Sequence, residues 1–265
     1  MLDPIITAVV LVAVGFGAGT LGSMLGVGGG IIMVPALTFL GLAPAQAAST
    51  SLIAVASTSV SSTMEYSRQK RINYRLGLEM GALAIPGAVL GAILLESLSA
   101  ESFQLYFGMI LILTGIYVLY KNSILKDDSA KKRSVMLQAG AFAAAFGAGI
   151  ISSMFGVGGG IIFVPSMLLV LGLTMHRAAP TSQLTLMMTS IAGVIVHAAL
   201  LNPDYLQAIA LSAGAFAGAQ IGARISRSAK ELLLQKLLGS TLMTVGIVLI
   251  AMAFKLIPNW FTHDS

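Results

Sequence analysis

The sequence predicts an all-α polytopic membrane protein: two inverted-topology repeats of about five hydrophobic segments each, with glycine-broken or re-entrant helices at the repeat interface. Three observations carry this. First, 57% of the 265 residues are hydrophobic and only 9% charged, with a mean hydropathy of +0.92. Soluble domains carry about 25% charged residues, so there is too little polar surface here to coat a globule. Second, Gly26-Val27-Gly28-Gly29-Gly30-Ile31-Ile32-Met33-Val34-Pro35 returns as Gly156-Val157-Gly158-Gly159-Gly160-Ile161-Ile162-Phe163-Val164-Pro165. Over Phe16–Pro35 against Phe146–Pro165 about fifteen of twenty positions agree, the mark of an internal repeat. Third, equivalent loops of the two halves carry opposite charge.

The first apolar segment runs from Pro4 to about Ser23. At ~1.5 Å per residue it crosses or nearly crosses the hydrocarbon core. Met1-Leu2-Asp3-Pro4 carries no basic n-region, so this segment is expected to be retained as a membrane helix. The glycine motif follows, and then a short run, Ile31–Leu42, with Pro35 in its first turns. This run spans only if it tilts or borrows the motif; otherwise the first two segments form a re-entrant hairpin. Ala45–Met64 is rich in hydroxyls, Tyr74–Leu95 holds Pro86 and a Gly87-x-x-x-Gly91 pair, and Phe103–Tyr120 is edged by aromatics.

Residues 1–121 form the first repeat, 122–134 a polar linker with Asp127-Asp128 and Lys131-Lys132-Arg133, and 135–265 the second repeat. The second half runs Val135–Phe155, motif, Ile161–Leu173, Ala178–Leu201, Tyr205–Arg224 and Leu232–Phe254. Gly91-Ala92 answers Gly222-Ala223, Gly108 answers Gly239 and Gly115 answers Gly246, at one constant offset.

Between the third and fourth segments the first half carries Arg68, Lys70, Arg71 and Arg75, where the second has Leu201-Asn202-Pro203-Asp204. Between the fourth and fifth, the first half has Glu96 and Glu101 and the second Arg224, Arg227 and Lys230. Loops rich in Lys and Arg face the cytoplasm, so each half crosses an odd number of times and the second is inverted. The linker is then cytoplasmic and both termini lie outside. The same rule accounts for the net charge of +5 and the pI near 9.6, in place of nucleic-acid binding.

With no cysteine, thiol chemistry and cysteine metal sites are excluded, and His176, His197 and His263 form no metal-ligand spacing. No cofactor is implied, and no acid–base pair points to an enzyme. The glycine motif is not a dinucleotide fingerprint, since Ile31 stands at its sixth position, and Ile31-Ile32 replaces the Lys and Ser/Thr of a phosphate loop. Two readings stay open: tight helix crossing, or a broken helix whose amides and dipole face an anion. On the second, Gly26, Gly28, Gly29 and Gly30 and their counterparts Gly156, Gly158, Gly159 and Gly160 supply backbone donors. Thr50 and Ser51, matched by Thr181 and Ser182, add hydroxyls that serve either as anion donors or as interhelical bonds. Gln183 is polar where Leu52 is not, so a site using it is asymmetric. His197 is read as a proton or substrate contact or else an interfacial histidine, Arg177 as attracting anions or obeying the charge rule, and Glu65 and Glu79 as ion-pairing with Arg68 or Arg75.

The paired G-x-G-G-G-x-x-x-V-P motifs, each followed by an A-x-x-T-S segment (Ala48-Ser49-Thr50-Ser51 against Ala179-Pro180-Thr181-Ser182), resemble the TauE/SafE family of sulfite exporters and related permeases. Gln183 departs from the family-like Leu52. The resemblance implies transport of small sulfur-containing anions, such as sulfite or organosulfonates, across a prokaryotic cytoplasmic membrane. The expectation is a secondary transporter, working as an exporter by alternating access. A passive anion channel and a permease for another small anion are the alternatives. Its partners would be a small anion, the lipid bilayer, a proton as coupling ion and a second copy of the chain in a homodimer.

An impermeant label is expected to reach tags at either terminus from outside. A tag inserted in 122–134 should react only after the membrane is permeabilised.

Overall fold

The computed structural model describes residues 4–95, 99–121, 135–200 and 203–254. The 122–134 linker lies outside the described residues, as does everything beyond 254. The described chain forms α1 (Pro4–Leu25), α2 (Gly30–Phe39), α3 (Pro44–Arg68), α4 (Tyr74–Leu95), α5 (Ala100–Lys121), α6 (Val135–Phe155), α7 (Gly160–Leu169), α8 (Met175–Leu200), α9 (Tyr205–Ser228) and α10 (Glu231–Ala253). Each helix matches one expected segment: α1, α3, α5, α8 and α9 run longer by a few residues, α4 and α6 match end to end, and α10 is shifted by one residue. The two short runs start one residue early, at Gly30 and Gly160, yet shrink to ten-residue helices because Gly41 and Gly172, both at positive φ, turn the chain at the far ends.

Among the described residues, six helices (α1, α4, α5, α8, α9 and α10) are long and apolar enough to cross a membrane. The 25-residue α3 is long enough too, but its hydroxyls dilute its hydropathy. It is kept from lipid: Ser49, Thr50, Ser51, Thr58, Ser59, Ser61 and Ser62 are all fully buried. Outward-facing residues are apolar instead, among them Leu113, Ile195, Leu206 and Ile209, each about two-thirds exposed or more.

Helices of one half pack chiefly on helices of the other. α1 and α9 run parallel: a Cβ on Gly15 would land on the Leu211 carbonyl, one on Gly218 on the Phe16 carbonyl and one on Gly222 on the Thr20 carbonyl. α4 and α6 repeat this, with Gly87 against Phe146 and Gly91 and Gly149 backing onto Ile150 and Ala84. α3 runs parallel to α9, as Ser57, Ser61 and Gln69 donate to the carbonyls of Ser212, Phe216 and Ala223. Opposed directions appear where equivalent helices meet. Gly108 of α5 faces Gly246 of α10 and Gly115 faces Gly239, an antiparallel crossing. In α3 and α8, Leu52 packs on Gly193 while Ser59 pairs with Ser190 at 3.4 Å, so these also oppose. Without Cβ atoms the backbones approach closely, which is how helices associate where no water drives them together.

The directions place Arg68, Lys70, Arg71, Arg75, Arg177, Arg224, Arg227, Lys230 and Lys236 at one end of the bundle. Arg71 ties three loops there. Its Nε donates to the His176 carbonyl at 3.0 Å, its NH2 lies 2.9 Å from His176 Nδ1, and its NH1 reaches Ser226 Oγ at 3.2 Å. The His176 carbonyl is free for this because Pro180, four residues on, has no N–H. Half-burial pulls the Arg71 guanidinium below its ordinary pKa, offset in part by Tyr66, whose ring it overlies at 5.3 Å. Glu65 pairs with Arg68 at 3.9 Å and with Arg224 at 3.5 Å, and Arg75 with Glu79 at 2.9 Å, as the sequence reading had it for Arg68 and Arg75.

Gly214→Val is expected to lower stability in detergent by about 1–3 kcal/mol or more, since a Cβ there meets the Val12 carbonyl. Gly17→Ala, with nothing within 4 Å, should raise it by up to ~1 kcal/mol. Thermal unfolding of the two purified variants checks the pair.

Candidate functional site

The two glycine motifs lie side by side at the centre of the bundle, running in opposite directions. A Cβ on Gly30 would sit 2.6 Å from the Gly156 oxygen, and one on Gly160 2.6 Å from the Gly26 oxygen. Gly28 and Gly158 meet the same two side chains, Val55 and Leu186, themselves equivalent at the constant offset. The centre is therefore apolar and closed, with polar groups on either side of it.

Each motif first ends a helix and then starts another. Gly26 takes φ +80° and Gly156 φ +69°, the left-handed conformation that glycine adopts without a Cβ clash. From there the Gly26 amide returns to the Ser23 carbonyl at 3.2 Å and the Val27 amide to the Gly22 carbonyl at 2.8 Å. This is a Schellman cap, and the second half repeats it with Gly156 to Ser153 and Val157 to Ser152. Gly28 and Gly158 also donate backwards, to Gly22 and Ser152. Gly29 and Gly159, at φ +84° and +78°, then open α2 and α7. Of the eight motif glycines, Gly26, Gly28, Gly156 and Gly158 thus spend their amides on carbonyls of the preceding helix. No acceptor among the described residues takes the amides of Gly29, Gly30 and Ile31, or of Gly159, Gly160 and Ile161, the first-turn donors of α2 and α7. Those two helix starts carry the motif amides left unbonded among the described residues.

The hydroxyls bind the halves to each other. Ser51 Oγ donates to the Gly156 carbonyl at 3.0 Å, and Ser182 Oγ to the Gly26 carbonyl at 2.7 Å: each serine holds the other half's motif. Thr50 Oγ1 accepts the amide of Asp204 at 3.0 Å and Thr181 Oγ1 that of Asn73, again at 3.0 Å. Thr181 also donates to the Arg177 carbonyl at 2.7 Å. Of the two roles open to these hydroxyls, interhelical bonding is the one they fill in this state. Gln183 Nε2 donates to the Gly22 carbonyl at 2.9 Å, leaving Oε1 buried without a partner. Arg177 is exposed at the basic end, away from the motifs.

Two serine pairs at the ends of α1 and α6 escaped the sequence reading. Tyr66 Oη donates to the Ser23 carbonyl at 2.8 Å and lies 3.0 Å from Ser226 Oγ. His197 Nε2 lies 2.9 Å from Ser153 Oγ. His197 is fully buried and aimed inward, so it is not interfacial. The constant offset that matches Gly108 with Gly239 also matches Tyr66 with His197 and Asn73 with Asp204, so the signal was available. Among the described residues no group of three His, Asp or Glu is placed to hold a metal ion.

Residues 11–249 match the family described as sulfite exporter TauE/SafE. The chain is 31% identical to the probable membrane transporter protein YunE of Bacillus subtilis, over 91% of this chain and 97% of that one. It is 29% identical to a probable membrane transporter protein of Methanocaldococcus jannaschii over 74% of each, and 24% identical to YfcA of Escherichia coli over 90% and 87%. No solved structure matches.

Ser51→Ala and Ser182→Ala should each destabilise the detergent-solubilised protein by about 1–3 kcal/mol, because each strands a buried carbonyl. Ser240→Ala, whose exposed hydroxyl reaches only Leu237 of its own helix, is the control expected to change nothing.

Proposed function

The chain belongs to the sulfite exporter TauE/SafE family, a family of membrane transporters, and we propose that it is a secondary transporter of a small sulfur-containing oxyanion such as sulfite or an organosulfonate. It works as an exporter, by alternating access between two inverted five-helix halves, residues 1–121 and 135–265. The basic end is cytoplasmic with the linker, and both termini are outside, in a prokaryotic cytoplasmic membrane.

The observation that carries the reading is the pair of opposed motifs, each ending in a helix start whose first amides have no acceptor among the described residues. Broken backbone inside a membrane is tolerated where protein buries it or where it lines a cavity. The partial positive charge of a helix N-terminus makes such a break a receptor for negative charge. The helix directions support inversion: α5 opposes α10, and α3 opposes α8. Lys and Arg gathered at one end support the orientation. Anion specificity without a buried lysine or arginine fits a solute that must also be released, since amide donors bind more weakly than a full countercharge. The Val55–Leu186 contact between the motifs is the closed middle of the path.

Radiolabelled sulfite counterflow in proteoliposomes, with sulfate, thiosulfate and taurine as competitors, tests this reading. Saturable exchange is expected; flux that never saturates would mark a channel instead. Gly29→Val and Gly159→Val each force a β-branched residue to positive φ, at about 1–3 kcal/mol of strain. Both should cut exchange more than about tenfold. Normal exchange in both variants would end the cradle reading.

A further inference from the structure

The two halves differ at one buried position in a way the anion path alone does not require. Tyr66 and His197 occupy equivalent places, each fully buried beside the last turn of the preceding half-helix, α1 or α6. Tyr66 itself is satisfied: its hydroxyl bonds the Ser23 carbonyl and Ser226. Around His197 two polar groups are not. Its Nδ1 has no partner, and neither has the hydroxyl of Ser152, which stands where the first half has Gly22. A Cβ on Gly159 would lie 3.0 Å from Ser152 Cβ, so this hydroxyl sits at the start of α7 with its unpaired amides.

We propose that His197 is the proton-accepting site of the transporter and Ser152 a side-chain donor to the anion, so that proton and anion load together at the α7 start. This rests on the anion-transport reading above. With Nε2 donating to Ser153, a neutral imidazole leaves only a lone pair unmatched at Nδ1. An imidazolium donates from both nitrogens, and Nδ1 then needs an acceptor that no described residue provides. The last turns of α6 and of α8 itself both end near His197, and their dipoles favour a cation there. Of the helices packed on α8, α1, α6 and α7 carry no Asp, Glu, Lys or Arg, and the charges of α3, α4 and α10 (Glu65, Arg68, Arg75, Glu79, Glu231 and Lys236) stand at the basic end, opposite His197. Asp204 caps α9 by accepting the Gln207 amide, and its own amide donates to Thr50 Oγ1. The missing countercharge is the substrate. By reciprocity, whatever the anion gives the proton, the proton gives the anion. Ser152 and Ser153 also carry the carbonyls that cap the second motif, so loading acts on the motif directly.

Two arms test this. In proteoliposomes, a pH gradient should drive sulfite accumulation by wild-type protein, about tenfold per pH unit for one proton per anion, and His197→Gln should lose it. Equal accumulation by both proteins overturns the proposal, whereas wild-type protein without counterflow at equal pH overturns the anion-transport reading instead. The second arm does not use His197→Gln, so it stands even if that variant fails to fold. In the ¹⁵N-histidine spectrum at fixed pH, saturating sulfite should convert the buried histidine from the neutral to the imidazolium pattern. A pattern unchanged by sulfite overturns the proposal. His176→Gln and His263→Gln identify the resonances to discount.

Discussion

A backbone that leaves helix inside hydrocarbon must find its own hydrogen-bond partners, and this requirement organises the whole molecule. Each unpaired amide or carbonyl costs several kcal/mol where no water can replace the lost bond. The glycine motifs meet the requirement at two levels. Locally, left-handed glycines turn the first amides back onto the helix just ended. Over distance, Ser51 and Ser182 take up the Gly156 and Gly26 carbonyls from the opposite half. What is left over, the first-turn amides of α2 and α7, is the part with chemistry to offer.

The same constraint explains why the hydroxyl-rich α3 and α8 hold the centre. In lipid their side chains would gain nothing. Packed together they supply the donors and acceptors that broken backbone needs, and they do so in matched pairs: Thr50 with Asp204 and Thr181 with Asn73, Tyr66 with Ser23 and His197 with Ser153. Motion of one motif is therefore felt in the other half first. The outer faces, lined by Leu113, Leu206 and their like, slide against lipid without breaking specific bonds.

Much of this was legible in the sequence. The doubled motif, the ten segments and the charge alternation located every helix, because spacing and hydropathy are local properties. The roles of individual hydroxyls were not local. Nothing near Ser51 says that its acceptor is Gly156, 105 residues away; that follows from how the halves interleave. The division of labour within Gly26–Gly30 was hidden for another reason, since all its glycines look alike until φ separates the capping positions from the opening ones. His197 looked like the end of a helix because it is three residues from Leu200, yet it turns inward. The repeat offset applied to Tyr66 would have flagged it.

The interleaving also sets an order for biosynthesis. When α5 has been made, α1 still lacks α9, α4 lacks α6 and α5 lacks α10, so neither half owns a finished interior. The serine-laden α3 must wait in the bilayer or at the translocon until α8 and α9 emerge from the ribosome. Its companions arrive more than a hundred residues later, which makes the nascent first half a client for whatever shelters polar helices in the membrane.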